Sequence, residues 1–132
     1  MTSHHEPKIV IIHRMRNKNL PNTFNVGRPT VLGNPYTHYT KSTLADIQVS
    51  THNEAVSCYE DWLDEQVDNG NQQVIEALKS IMTVINQGET VHLACWCKDE
   101  VTPFKTDHKY CHADVIRNFL LDEWDAQQEE EE

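Results

Sequence analysis

The sequence predicts an α/β fold: a small layered domain with a short, mainly parallel sheet and about three helices. Two short apolar runs rich in β-branched residues lie near positions 9–12 and 91–95, with two amphipathic helical patterns between them. A third helical pattern follows the second run, and strand, loop, helices, strand, loop, helix is the rhythm of parallel strands joined by crossovers. At 132 residues the chain suits one domain, residues 1–121, followed by an acidic C-terminal tail, residues 122–132.

Residues 8–14, K-I-V-I-I-H-R, read as a strand buried on both faces, because an unbroken apolar run leaves no polar side for solvent. Residues 15–39 are rich in Asn, Pro, Gly and Arg, so they form a loop in which a short strand near residues 24–26 is expected. Helix one covers residues 53–67, with Ala55, Val56, Tyr59, Trp62, Leu63 and Val67 at three-and-four spacing and Asn53 as its cap. Asp68-Asn69-Gly70-Asn71 breaks it. Helix two covers residues 72–86 with Val74, Ala77, Leu78, Ile81, Met82 and Ile85 inward, and Gly88 ends it. Residues 90–97, T-V-H-L-A-C-W-C, form the second strand; in it His92 is a sheet residue with one nitrogen satisfied, and Cys95 a small buried hydrophobe. The last helix begins near Cys111 and carries Val115, Ile116, Phe119, Leu120 and Trp124.

Charge and composition narrow the partners. Residues 1–41 are net +5, residues 42–121 net −8, and residues 122–132 hold seven acids and no base, for −10 overall. That balance opposes direct binding to nucleic acid. An acidic surface can instead occupy a nucleic-acid-binding host protein by mimicking phosphate, the non-enzymatic alternative for this chain. Mean hydropathy is −0.65, and no apolar run approaches the roughly 20 residues of a membrane span. The polar start lacks a secretion signal, so the expected location is the cytoplasm and Cys58, Cys95, Cys97 and Cys111 are expected as thiols before disulfides.

Two constellations can carry chemistry. Cys95 and Cys97 share one face at the end of a strand, and Cys111, His112 and Asp114 open the next helix. In a parallel layer those two places border the ligand crevice, and a thiol at a helix start is acidified by the partial positive charge there. Cys97, Cys111, His112 and Asp114 are therefore the candidate catalytic residues, with Asp114 able to orient His112. The same region offers Cys95, Cys97, Cys111 and His112 as a Cys₃His set, so a zinc-stabilised interaction module is a second alternative. The adjacency of Cys111 and His112 argues against it. The other constellation is residues 26–36, V-G-R-P-T-V-L-G-N-P-Y. Gly27 and Gly33 permit close backbone approach, Arg28 offers a fork for phosphate, Asn34 can read a base edge or sugar hydroxyl, and Tyr36 can stack. No GxGxxG and no GxxxxGK[ST] occurs.

The ordered combination G-R-P (27–29), G-N-P-Y (33–36), an aromatic-bearing helix with Tyr59 and Trp62-Leu63, L-A-C-W-C (93–97) and C-H-A-D-V (111–115) resembles a small phage and bacterial family known as domain of unknown function 4326. The resemblance spans about residues 9–121 and implies that Arg28, Gly33, Asn34, Pro35, Cys95, Cys97, Cys111, His112 and Asp114 are signature positions. This chain carries Lys98 to Tyr110 between C-W-C and C-H, where family members usually have only a few residues. The resemblance also implies a phage origin, hence a host-cell cytoplasm, and the C-H at a helix start after a Cys-bearing strand is similar in fold to another α/β family with a Rossmann-like layer. The leading expectation is a domain that binds a nucleotide or nucleotide-derived phosphosugar, with hydrolysis or transfer at a glycosidic or phosphate bond as the reaction class.

Overall fold

A computed structural model describes residues 7–13, 20–27, 30–33, 35–37, 47–48, 52–95 and 112–131. Among the described residues, five strands and three helices follow in the order β1 Ile9–His13, β2 Thr23–Asn25, β3 Tyr36–Thr37, β4 Ile47–Gln48, α1 His52–Asp68, α2 Gln72–Asn86, β5 Val91–Cys95 and α3 His112–Glu131. The fold is α/β, as the sequence predicts. β5, last of the strands in sequence, lies at the centre of a three-stranded sheet of order β1-β5-β2, parallel throughout. β3 and β4 pair separately, also parallel.

The register explains the apolar runs. Ile9 pairs with Val91, Ile11 with Leu93 and Phe24 with Leu93, so these side chains share one face of the sheet. Ile9, Ile11, Val91, Leu93 and Cys95 are fully buried there against the helices. Ile12 and Ala94, on the opposite face, are buried as well, which is why neither run alternates with polar residues. His92 is half-buried on that second face, its Nδ1 2.8 Å from Pro21 O.

Each helix owes its ends to particular side chains. Asn71 caps α2, its Oδ1 accepting from the backbone N–H of Gln73 at 3.1 Å and of Val74 at 3.4 Å. Gly88, at φ +81°, turns the chain out of α2 in a conformation that a side chain disfavours. α1 begins at His52, so Asn53 falls inside the first turn and not at the cap. α3 differs in kind: His112 through Asn118 are all buried, so its first two turns are enclosed on every side. From Asp122 onward the helix is largely exposed, yet it continues to Glu131, so the acidic run prolongs α3. Among the described residues no helix is long and apolar enough to cross a membrane.

Candidate functional site

Parallel pairing brings the carboxyl ends of all three sheet strands to one edge, with His13 opposite Cys95 and Asn25 opposite Ala94. Val26 extends β2 by one rung, its N–H donating to Ala94 O at 2.9 Å. The chain then leaves the sheet in two successive turns. Gly27 O accepts from Thr30 N–H at 3.0 Å and from Thr30 Oγ1 at 2.6 Å, while Gly27 N–H donates to Asn25 Oδ1 at 3.1 Å. Gly33 N–H closes the second turn on Thr30 O at 2.9 Å.

Two side chains hold this loop from the helical side. His112, the first residue of α3, donates from Nε2 to Val26 O at 2.6 Å. A carbonyl only accepts, so that nitrogen carries the proton. Tyr59, from the middle of α1, donates its hydroxyl to Leu32 O at 2.7 Å. The two rings meet edge to face, 5.2 Å apart at 73°, and Trp62 packs on Tyr59 at 5.4 Å. Tyr59 is 0% exposed and His112 7%. The loop after β2 is therefore clamped at Val26 by α3 and at Leu32 by α1.

Behind His112, Arg117 Nη2 donates to Asp114 Oδ1 at 3.0 Å, with both side chains fully buried. The Asp114 carboxylate is thereby tied to Arg117 one turn along the same helix. Arg117 and Tyr59 are the residues that sequence reasoning did not single out as site residues. Each left a signal. Arg117 is a charge three residues after Asp114, set between the apolar pairs Val115-Ile116 and Phe119-Leu120, and Tyr59 is a phenol on the buried face of α1, where its hydroxyl needs an acceptor.

Of the expected site residues, Gly27 and His112 are brought together through Val26, and Gly33 lies at the end of the loop that Tyr59 holds. Cys95 is fully buried at the end of β5. Tyr36 opens β3. Arg28, Asn34, Cys97 and Cys111 lie outside the described residues. Among the described residues no group of three or more His, Cys, Asp or Glu gathers as a metal site. The start of α3, with the partial positive charge of a helix N-terminus, therefore stands against a glycine-bearing turn at the carboxyl edge of a parallel sheet.

No curated protein and no solved structure matches the chain. The parallel sheet from Val10 onward, the turns after β2 and the His112 helix start fall within residues 10–122, which match the family model described as Domain of unknown function (DUF4326), and the chain belongs to that family.

Proposed function

We propose that this chain binds a nucleotide or nucleotide-derived phosphosugar at the carboxyl edge of its parallel sheet, between residues 26–36 and the start of α3. The proposal rests on the 2.6 Å hydrogen bond from His112 Nε2 to Val26 O, which ties the glycine turn to the helix start. Open parallel sheets take ligands at their carboxyl edge, and a helix N-terminus attracts phosphate through its N–H groups and dipole. In this arrangement Arg28 holds the anion as a bidentate fork, Asn34 reads a sugar hydroxyl or base edge, and Tyr36 stacks. His112 keeps the cradle in position and Asp114, braced by Arg117, fixes the helix turn that carries it.

The reaction class the cradle suits is hydrolysis or transfer at a glycosidic or phosphate bond. Cys111, the residue before the helix start in sequence, is the nucleophile in that case, and Cys97, two residues after the buried Cys95 in sequence, is the second candidate thiol. Thermal-shift screening against nucleotides and ADP-ribose compounds tests the binding. A ligand present at about 100 times its Kd adds about 2.7 kcal/mol to stability. The expected result is stabilisation of the unaltered chain that both Arg28→Ala and Cys111→Ser abolish. Absence of any shift across the panel, or a shift indifferent to both substitutions, overturns the proposal.

A further inference from the structure

A second concavity lies on the helical side, independent of the cradle at the sheet edge. α2 contributes Ile75, Leu78 and Met82 to it, α3 contributes Phe119 and Leu120, and α1 contributes Val67. Leu78, Met82 and Leu120 are buried and form the floor, whereas Val67, Ile75 and Phe119 are half-buried and form the walls. Phe119 is seven residues beyond His112, roughly 10 Å along α3 at ~1.5 Å per residue, so the groove starts about two turns from the loop clamp. Residues 75, 78, 79 and 82 follow the i, i+3, i+4, i+7 row of one helix face and residues 119, 120, 123 and 127 run beside them on α3. Two such ridges make a trough about two helical turns long, the length that a docked helix fills with its own i, i+3, i+4 and i+7 side chains.

Charge selects the occupant. Among the described residues, α1, α2 and α3 expose ten Asp or Glu side chains and one Lys, Lys79. Glu123 and Lys79 line the groove itself and offset one another, and the acidic balance comes from its rim, where exposed acids sit one turn from the walls: Asp64 before Val67 on α1, and Asp122 after Phe119 on α3. Two copies of a chain with net charge −10 would set acid against acid, so a second copy is the wrong partner. We propose that the groove between α2 and α3 binds an amphipathic helix of a partner protein whose apolar face is flanked by Lys or Arg. The apolar anchors supply the buried area, and the acidic rim steers a cationic helix in and rejects anionic ones. Met82 on the floor, being flexible and polarisable, adapts to anchors of different shape.

Fluorescence anisotropy with a labelled synthetic Leu/Lys helix tests this on the full chain, beside the same helix with every Lys replaced by Glu. Saturable binding of the Leu/Lys helix is expected, weakened about tenfold by Ile75→Ala and by Glu123→Lys. Glu89→Lys makes the same charge change at an exposed position on the turn after α2, and it should leave the affinity unchanged. Thermal melts establish that each variant is folded. Equal weakening by Glu89→Lys and Glu123→Lys would mean diffuse charge attraction and overturn the proposal, as would equal binding of the Leu/Glu helix. A dimer in sedimentation that Ile75→Ala dissolves would assign the groove to a second copy and overturn it as well.

Discussion

The loop after β2 depends on single hydrogen bonds from two aromatic rings, and their loss can be read separately from loss of packing. Tyr59→Phe keeps the ring against His112 and Trp62 but leaves the Leu32 carbonyl without the hydroxyl that reaches it at 2.7 Å. An orphaned buried acceptor costs ~1–3 kcal/mol, so urea unfolding should show a midpoint lowered by that much with an unchanged slope. A change under ~0.3 kcal/mol would mean the hydroxyl is not needed to hold the loop. The Asp114–Arg117 pair is a different case, because both charges are fully buried. Removing one partner of such a pair costs ~3–5 kcal/mol, whereas replacing both by apolar side chains is often nearly neutral. Arg117→Met alone should therefore be strongly destabilising, and Asp114→Leu combined with Arg117→Met should recover more than half of the loss in the same unfolding assay. A double variant no better than the single one would show that the pair is needed for more than mutual compensation. The i,i+3 spacing of Asp114 and Arg117 and the inward position of Tyr59 on α1 are legible in the sequence; that both charges are buried and that the Tyr59 hydroxyl reaches Leu32 depends on what folds against them.

At the level of elements, legibility follows how completely local chemistry determines the outcome. α2 was readable to its ends because Asn71, the apolar row from Val74 to Ile85 and Gly88 all specify the same helix. That agreement sets the size of two effects: Asn71→Ala should cost ~1 kcal/mol by removing the cap, and Gly88→Ala about 1 kcal/mol by straining a positive φ. A thermal melt resolves both, and a cost at Gly88 with none at Asn71 would mean that packing alone fixes the start of α2. β1 and β5 were readable for the same reason, an apolar run bounded by charge. α1 was readable in its face but not its first residue, since Asn53 resembles a cap and only the helix start at His52 shows that it is not one. β3 and β4, two residues each, left no pattern at all. The end of α3 was obscured in a different way: beyond Trp124 no apolar periodicity remains, and seven acids suggest a solvated tail. Glu, Gln and Ala are nonetheless good helix formers, and a helix already nucleated by a buried first half needs little more to propagate.

The whole molecule carries its charge where a helix tolerates it least. Acids at the C-terminal end of α3 oppose the helix dipole, there is no base in the last turn, and the net charge of −10 adds self-repulsion. Trp124 is packed against the core, however, and Gln127 lines the groove, so the exposed half of α3 is not uniformly dispensable. Two truncations separate these contributions. Ending the chain after Gln128 removes four acids, takes the net charge from −10 to −6 and spares Trp124. Ending it after Leu121 removes more charge but also the indole, whose burial contributes ~1–3 kcal/mol. The full chain should gain a few degrees in melting temperature between 10 mM and 500 mM NaCl as the screening length falls from ~30 Å to below ~8 Å. The chain ending at Gln128 should show a smaller gain from salt and be at least as stable at low salt, whereas the one ending at Leu121 should melt lower at every salt concentration. If both truncations melted alike, the indole would contribute nothing; if salt left the full chain unchanged, self-repulsion would not be a significant term in its stability.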